Sequence, residues 1–289
     1  MKAEIISNAI AVSIFTNSCY NGKRNNIEYL SFMNGKRIVA LLAVILAVAG
    51  GGYFYRREVL GSRLSAVQKA GSDPAVLSQA AGTPKITTQV LSEIRHGDRS
   101  KKQVIFTFDG GAGIQSADAI LAILAKHHVK GTFFLTGKMV LGHPDLVRRI
   151  AAAGHEIFNH TYDHKDLTKL TDAEIKRELL DMDSALEKTV GSSTRPYFRT
   201  PYSAVNAKVL SAAGAIGYRS VEYTLDALDW REGQGETAAQ VQKRVLSHVA
   251  PGVIYLMHLG DNITGEILDK LFSDIEARGY KIVSLTQGL

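Results

Sequence analysis

The chain has 289 residues, 45% hydrophobic and 21% charged, an ordinary globular composition with room for one large α/β domain and additional segments. A formal charge of +6 fits attraction to an anionic envelope or polymer, but no arginine-rich run or aromatic RNA-binding motif accompanies it, so it gives no sign of a nucleic-acid partner. The single cysteine, Cys19, excludes a disulfide framework and a cysteine-based metal site.

Residues 1–37 carry a weak apolar stretch, Ile5 to Phe15, followed by polar residues. Residues 38–55 are different. Ile38 to Val48 is continuously apolar, Lys36 and Arg37 precede it, and Ala47-Val48-Ala49 has the small-x-small pattern of a cleavage site. This predicts a signal peptide or an uncleaved membrane anchor, and either one exports the bulk of the chain. Met33-Asn34-Gly35-Lys36-Arg37 forms a conventional n-region, so translation is expected to begin at Met33. Residues 56–84, rich in Ala, Gly and Ser with Pro74 and Pro84, read as a linker.

From residue 85 to 289 strand and helix patterns alternate. Ile86–Ile94 and Gln103–Phe108 read as strands, the second β-branched and aromatic. Ser116 is placed to cap a helix running to about His127, and Thr132–Leu135 follows as a strand. Pro144 opens a helix to about Ala153, ahead of a strand at His155–Phe158. Thr171 to Glu174 is a capping box that opens a long helix. Tyr197–Phe198, Ile216–Tyr223, Val253–Met257 and Lys281–Leu285 read as extended, with helices at Asn206–Ala213, Glu236–Val249 and Ile263–Ala277. This alternation predicts a mostly parallel sheet covered by helices, a distorted (β/α) barrel of about seven strands. No glycine-rich dinucleotide or phosphate-loop pattern follows any strand.

In such a barrel, residues just past the strand ends share one mouth. Those positions hold Asp109, His160 with His164, Arg199 with Tyr202, Asp226, Asp229 and Trp230, and His258. His160 and His164 are four apart, a spacing that puts both imidazoles on one face of a helical turn as a pair of zinc-type ligands. His127, His128, His143, His155 and His248 fall outside the strand-end set and read as surface or packing residues.

Five motifs occur in order: Thr107-Phe108-Asp109-Gly110-Gly111, His160-Thr161-Tyr162-Asp163-His164, Arg199-Thr200-Pro201-Tyr202, Asp226-Ala227-Leu228-Asp229-Trp230 and Leu256-Met257-His258. Together they resemble the polysaccharide deacetylase family, the NodB-homology carbohydrate esterases, over about Ile86 to Leu289. The resemblance implies that Asp109 is the general base and His160 and His164 are ligands of a divalent metal, with zinc favoured. It implies that Arg199 orients Asp109, that the Tyr202 backbone N–H helps hold the oxyanion, and that His258 is the general acid tuned by Asp229. Trp230 and Leu256 are implied walls of the substrate groove. The chemistry agrees: amide hydrolysis needs a nucleophile active at neutral pH, positive charge or donors at the oxyanion, and an acid for the amine.

One position departs from the pattern. The family usually has a second aspartate after the base, completing a His-His-Asp metal triad, where this chain has Gly110. A water or another group, Asp163 among the candidates, would have to fill the gap. The expectation is an exported or membrane-tethered, metal-dependent deacetylase of an N-acetylated polysaccharide, with peptidoglycan or a chitin-like glycan as substrate. The alternatives are an O-acetyl esterase and an inactive glycan-binding relative; no protein partner is inferable. N-terminal mass spectrometry of the precursor is expected to find Met33 as the first residue and no peptides from residues 1–32.

Overall fold

The computed structural model describes residues 92–111 and 113–289. The expected export segment, the linker and most of the strand expected at Ile86–Ile94 lie outside the described residues. Among the described residues, no helix is long and apolar enough to cross a membrane.

The elements run β1 (Gln103–Gly110), α1 (Ala117–Lys126), β2 (Thr132–Leu135), α2 (Gly137–Gly142), α3 (Pro144–Ala152), β3 (Glu156–Asn159), α4 (Asp172–Val190), β4 (Tyr197–Phe198) and α5 (Ala207–Gly214). Then come β5 (Arg219–Ser220), β6 (Leu225–Asp226), α6 (Ala238–Ser247), β7 (Val253–His258), α7 (Ile263–Ala277), β8 (Lys281–Val283) and α8 (Leu285–Gly288). All strand pairs are parallel, in the order β5-β4-β3-β2-β1-β7-β6. β1 is the hub: β7 pairs with its residues 104–109, β2 with 107–110 and β8 with 103–105. Among the described residues no ladder joins β5 to β6, so this is an incompletely closed (β/α) barrel, with Ile94 bridging Val221 at the seam.

The period-2 alternation of strands sorts the core into an inner and an outer layer. Ile105, Phe134, Phe158 and Ile254 pack together inside the barrel with Ile94, Val221 and Leu285. Their strand neighbours Val104, Phe106, Phe108, Phe133, Leu135, Ile157, Tyr255 and Met257 face outward and pack with apolar residues of the helices. The Thr171 capping box starts α4 and Gly191, at φ +74°, ends it.

Several local expectations are corrected. Ile94 forms a single bridge. Ser116 sits at the N-terminus of α1 but does not cap it; its hydroxyl donates to the Asp261 carbonyl and accepts from Gly265 N–H at 2.9 Å. The last strand stops at Val283 because Ser284 starts α8, which buries Leu285 inside the barrel. The segment from His160 to His164 is not helical. Phe106, stacked 4.7 Å from the Tyr255 ring and 4.9 Å from that of Phe272, is the outer-layer anchor of the hub strand. Phe106→Ala is expected to cost about 3–5 kcal/mol of unfolding free energy, read by denaturant titration.

Candidate active site

The same alternation sets the site. On β1 the inward stripe is Ile105, Thr107 and Asp109; on β7 it is Ile254, Leu256 and His258. Asp109 and His258 are direct register partners at the ends of the two strands. His160 continues the inward parity of Phe158, and Arg199 that of Tyr197, each one residue past its strand. A cavity of about 670 Å³ opens over these ends, in the range of small-ligand sites. Asp109, His160, His164 and Arg199 border it, as do Tyr202, Asp226, Trp230, Leu256 and His258. Asp229 does not; it is fully buried behind His258.

The two histidines converge by a loop, not a helix. Asn159 Oδ1 accepts from Thr161 N–H at 2.9 Å and Thr161 Oγ1 accepts from His164 N–H at 3.0 Å. Thr161 and His164 take φ of +67° and +58°. Glu178 on α4 anchors the loop by accepting from the N–H groups of Tyr162 (3.1 Å) and Asp163 (2.8 Å). The two imidazoles meet edge to face with centroids 4.8 Å apart. Left-handed backbone is costly for non-glycine residues, and five of the six described residues that adopt it (Thr161, His164, Tyr202, Ser203 and Leu228) lie on loops around this cavity.

Arg199 is buried and each of its three guanidinium nitrogens donates. Nη1 donates to Asp109 Oδ1 at 2.6 Å and Thr107 Oγ1 at 2.9 Å, while Nε and Nη2 donate to the carbonyls of Val221 and Glu222. This fixes one oxygen of Asp109 and leaves Oδ2 facing the cavity side. On the other wall, Asp229 Oδ1 pairs with His258 Nδ1 at 2.9 Å, and Oδ2 accepts from His258 N–H and the Thr264 hydroxyl. Burial alone would lower the His258 pKa; the hydrogen bond and charge of Asp229, with Asp109 and Asp226 adding, raise it to about 9. His160 goes the other way: burial dominates and holds it down to about 4. His164 is also lowered by burial. Two histidines kept neutral and one kept protonated is the charge arrangement that ligation and acid catalysis respectively require.

The rim is aromatic. Tyr202 is 70% exposed and Trp230 is 43% exposed, with the Trp230 indole N–H on Asp226 Oδ2 at 3.2 Å. Asp226 also accepts from Leu228 N–H at 2.8 Å, which gives it the turn role.

His160 donates through Nδ1 to the Arg199 carbonyl at 3.0 Å, so the lone pair of Nε2 faces Asp109 Oδ2 at 3.5 Å. That lone pair, with the His164 ring centroid 4.8 Å from that of His160, fits a cation held by the two imidazoles, with Asp109 Oδ2 left free beside it. Imidazole ligands suit zinc among other divalent ions. A third ligand from position 110 does not fit. A Cβ on Gly110 would point outward and meet Met139 Sδ at 2.5 Å and Leu135 and Leu259 methyls at 2.8 Å. Asp163 does not fill the gap either, because it forms ion pairs with Lys138 and Lys165, both at 2.9 Å. Asp229, His258 and Asp261 also offer ligand atoms within 4.8 Å of one another, but Asp229 and His258 Nδ1 are already bonded together. That cluster is a hydrogen-bond network around His258.

Two acidic cavity residues were not anticipated. Asp261, three residues after His258, accepts from Thr264 N–H at 2.9 Å, and burial together with the Asp229 charge raises its pKa. Glu222 is 1% exposed, and burial raises its carboxyl to about 7, with Glu93 and Asp109 adding and Arg199 opposing. A lone acid at the end of an extended apolar segment was the available signal for Glu222. For Asp261 the only signal was its place beside the last motif. Gly110→Asp is expected to lower unfolding free energy by about 1–3 kcal/mol by overpacking the outer layer, and to leave metal content per chain unchanged by elemental analysis.

Residues 96–221 match the polysaccharide deacetylase family description. The chain is 31% identical over 189 residues to the peptidoglycan-N-acetylmuramic acid deacetylase PdaA of Bacillus subtilis, covering 65% of this chain and 72% of that protein. It is 32% identical over 193 residues to the peptidoglycan-N-acetylglucosamine deacetylase of Bacillus cereus, with 65% and 69% covered. The crystal structure of BA3943 from Bacillus anthracis, a CE4 family pseudoenzyme, superposes with a TM-score of 0.64 at 29% identity, covering 68% of each chain. Since the motif residues gather at one barrel mouth and these matches span most of the relatives' length, the chain belongs to the polysaccharide deacetylase family.

Proposed function

We propose that the chain is an exported, metal-dependent N-deacetylase of an N-acetylated glycan, with peptidoglycan as the favoured polymer and residues 85–289 as the catalytic domain. The observation that carries this reading is the register pair of Asp109 and His258, facing one cavity with two neutral imidazoles beside them. The two Bacillus deacetylases named above act on N-acetylated sugars of peptidoglycan, and the exposed Tyr202 and Trp230 rings suit a sugar face.

His160 and His164 would hold a divalent cation, which when bound would supply Lewis-acid activation. Asp109 accepts the proton of the attacking water through Oδ2, because Arg199 holds Oδ1. The Tyr202 N–H, presented by a left-handed turn at φ +60°, donates to the developing oxyanion. His258 gives its proton to the departing amine, and Asp229 holds the imidazolium in place until then. Leu256 lines the floor beside the acetyl methyl. Gly110 favours a second reading, a glycan-binding relative without turnover, since the position that would complete the metal triad is closed by hydrocarbon.

Acetate release from peptidoglycan, chitooligosaccharide and acetylxylan separates these readings. Release from the first two supports N-deacetylation, release from acetylxylan alone supports O-esterase activity, and none at all supports the binding relative. Asp109→Asn and His258→Ala are each expected to lower kcat by a factor on the order of 10²–10⁴. Because the His258 pKa is raised, the proton-carrying form persists to high pH and is lost as pH rises through about 9. The kcat/KM profile is therefore expected to fall on that alkaline limb. Asp229→Asn should move the limb down toward the ordinary histidine value of about 6.5.

A further inference from the structure

Glu222 lies just past the seam of the barrel. Its N–H donates to the Ile94 carbonyl at 2.8 Å and its own carbonyl accepts from Arg199 Nη2 at 3.3 Å. Its carboxyl borders the cavity. Oε1 accepts from the Ser203 hydroxyl at a long 3.3 Å, and Oε2, although buried, has no hydrogen-bond partner. The adjacent cation does not serve it: Arg199 Nη2 donates to the Glu222 carbonyl and not to its carboxyl. Buried carboxyl oxygens are rarely left without a donor, since the desolvation is uncompensated. A hydroxyl brought into this cavity by a ligand would supply the donor that Oε2 lacks.

The position of Glu222 narrows what that donor is. Glu222 shares the cavity with Asp109 and His258, yet its carboxyl is bonded to neither; its side-chain partner is Ser203, next to the exposed Tyr202 on the rim. The groups a glycan offers beside its acetamide are ring hydroxyls, which donate. We propose that Glu222 is a substrate-binding residue that accepts a hydrogen bond from a ring hydroxyl of the N-acetylated sugar, and that it makes the site selective for a glycan with that hydroxyl free. This assignment rests on the deacetylase reading above. The rival role is a brace: Ser203 Oγ also meets the Tyr223 hydroxyl at 2.7 Å, and Ser203 follows Tyr202 in the strained turn.

The test uses the full chain, with N-acetylglucosamine tetramer and a series of its mono-O-methylated analogues, each capping one hydroxyl position. Wild type is expected to show a KM rise of at least about tenfold for one capped position. Glu222→Leu should raise KM by a similar factor on the uncapped tetramer, with kcat near wild type and no further loss on that capped analogue. Glu222→Gln, which keeps an acceptor, should stay within about threefold of wild type. Glu222→Met replaces the leucine variant if the latter does not fold by circular dichroism. A Leu variant that matches wild type overturns the proposal. So does one that loses kcat at unchanged KM, or loses equally on capped and uncapped glycan, as a brace would. Calorimetric binding of the tetramer separates the two layers. Binding without acetate release sinks the deacetylase reading, and the same comparison is then scored on Kd. Neither binding nor release sinks both.

Discussion

The ion pair between Arg199 and Asp109 is the constraint on which the site depends. Both partners are buried, and a buried pair holds only when its remaining donors and acceptors are satisfied. Here all three guanidinium nitrogens are bonded, reaching Thr107, Val221 and Glu222 as well, and the guanidinium carbon stands 4.2 Å over the Phe134 ring. Thr107 in turn donates to the Tyr255 carbonyl at 2.6 Å, linking β1 to β7. One side chain thus ties β1, β2 and the seam together from the end of β4. The same bonds immobilise Asp109 with one oxygen held and the other presented. The Arg199 carbonyl orients His160 as well, so base and metal ligand take their aim from a single residue.

Around that pair, one residue type is driven in opposite directions by its surroundings. His160 is enclosed next to His164 and Arg199, and burial wins over the nearby Asp109. His258 is enclosed too, but Asp229 is bonded to its ring and two further carboxylates stand near, so charge wins over burial. Neither outcome depends on the histidine itself. A hydrolytic site needs a ligand that stays neutral and an acid that stays charged at the same pH, and the barrel mouth separates the two by where it places carboxylates.

Gly110 shows what strand geometry forbids. A regular pleat sends successive side chains to opposite faces, so if residue 109 faces the cavity, residue 110 faces the helices. The space there is filled by Met139, Leu135 and Leu259. Glycine lets the strand end close-packed on its outer side, at the expense of an anionic ligand. Electrostatic load then falls on Asp109, the one carboxylate oxygen directly opposed to His160 Nε2.

The amino-acid sequence by itself determined the alternation of strands and helices, hence the barrel class, and the list of polar residues at strand ends. Those follow from local periodicity and from start signals such as Pro144 and the Thr171 to Glu174 capping box. It also exposed the vacancy at Gly110. The helix assumed for His160 to His164 was wrong because a four-residue spacing is equally compatible with a turn, and the left-handed Thr161 that makes the turn has no sequence signature. Asp261 and Glu222 were not singled out for a related reason: the charged groups that act on them, Asp229 on the first and Glu93, Asp109 and Arg199 on the second, are remote in sequence. Only the tertiary structure decided which carboxylate stands by which imidazole, and which faces the outer layer. Burial and charge proximity are properties of the packed barrel, so residue order can propose the members of a site but not the fields they exert on one another.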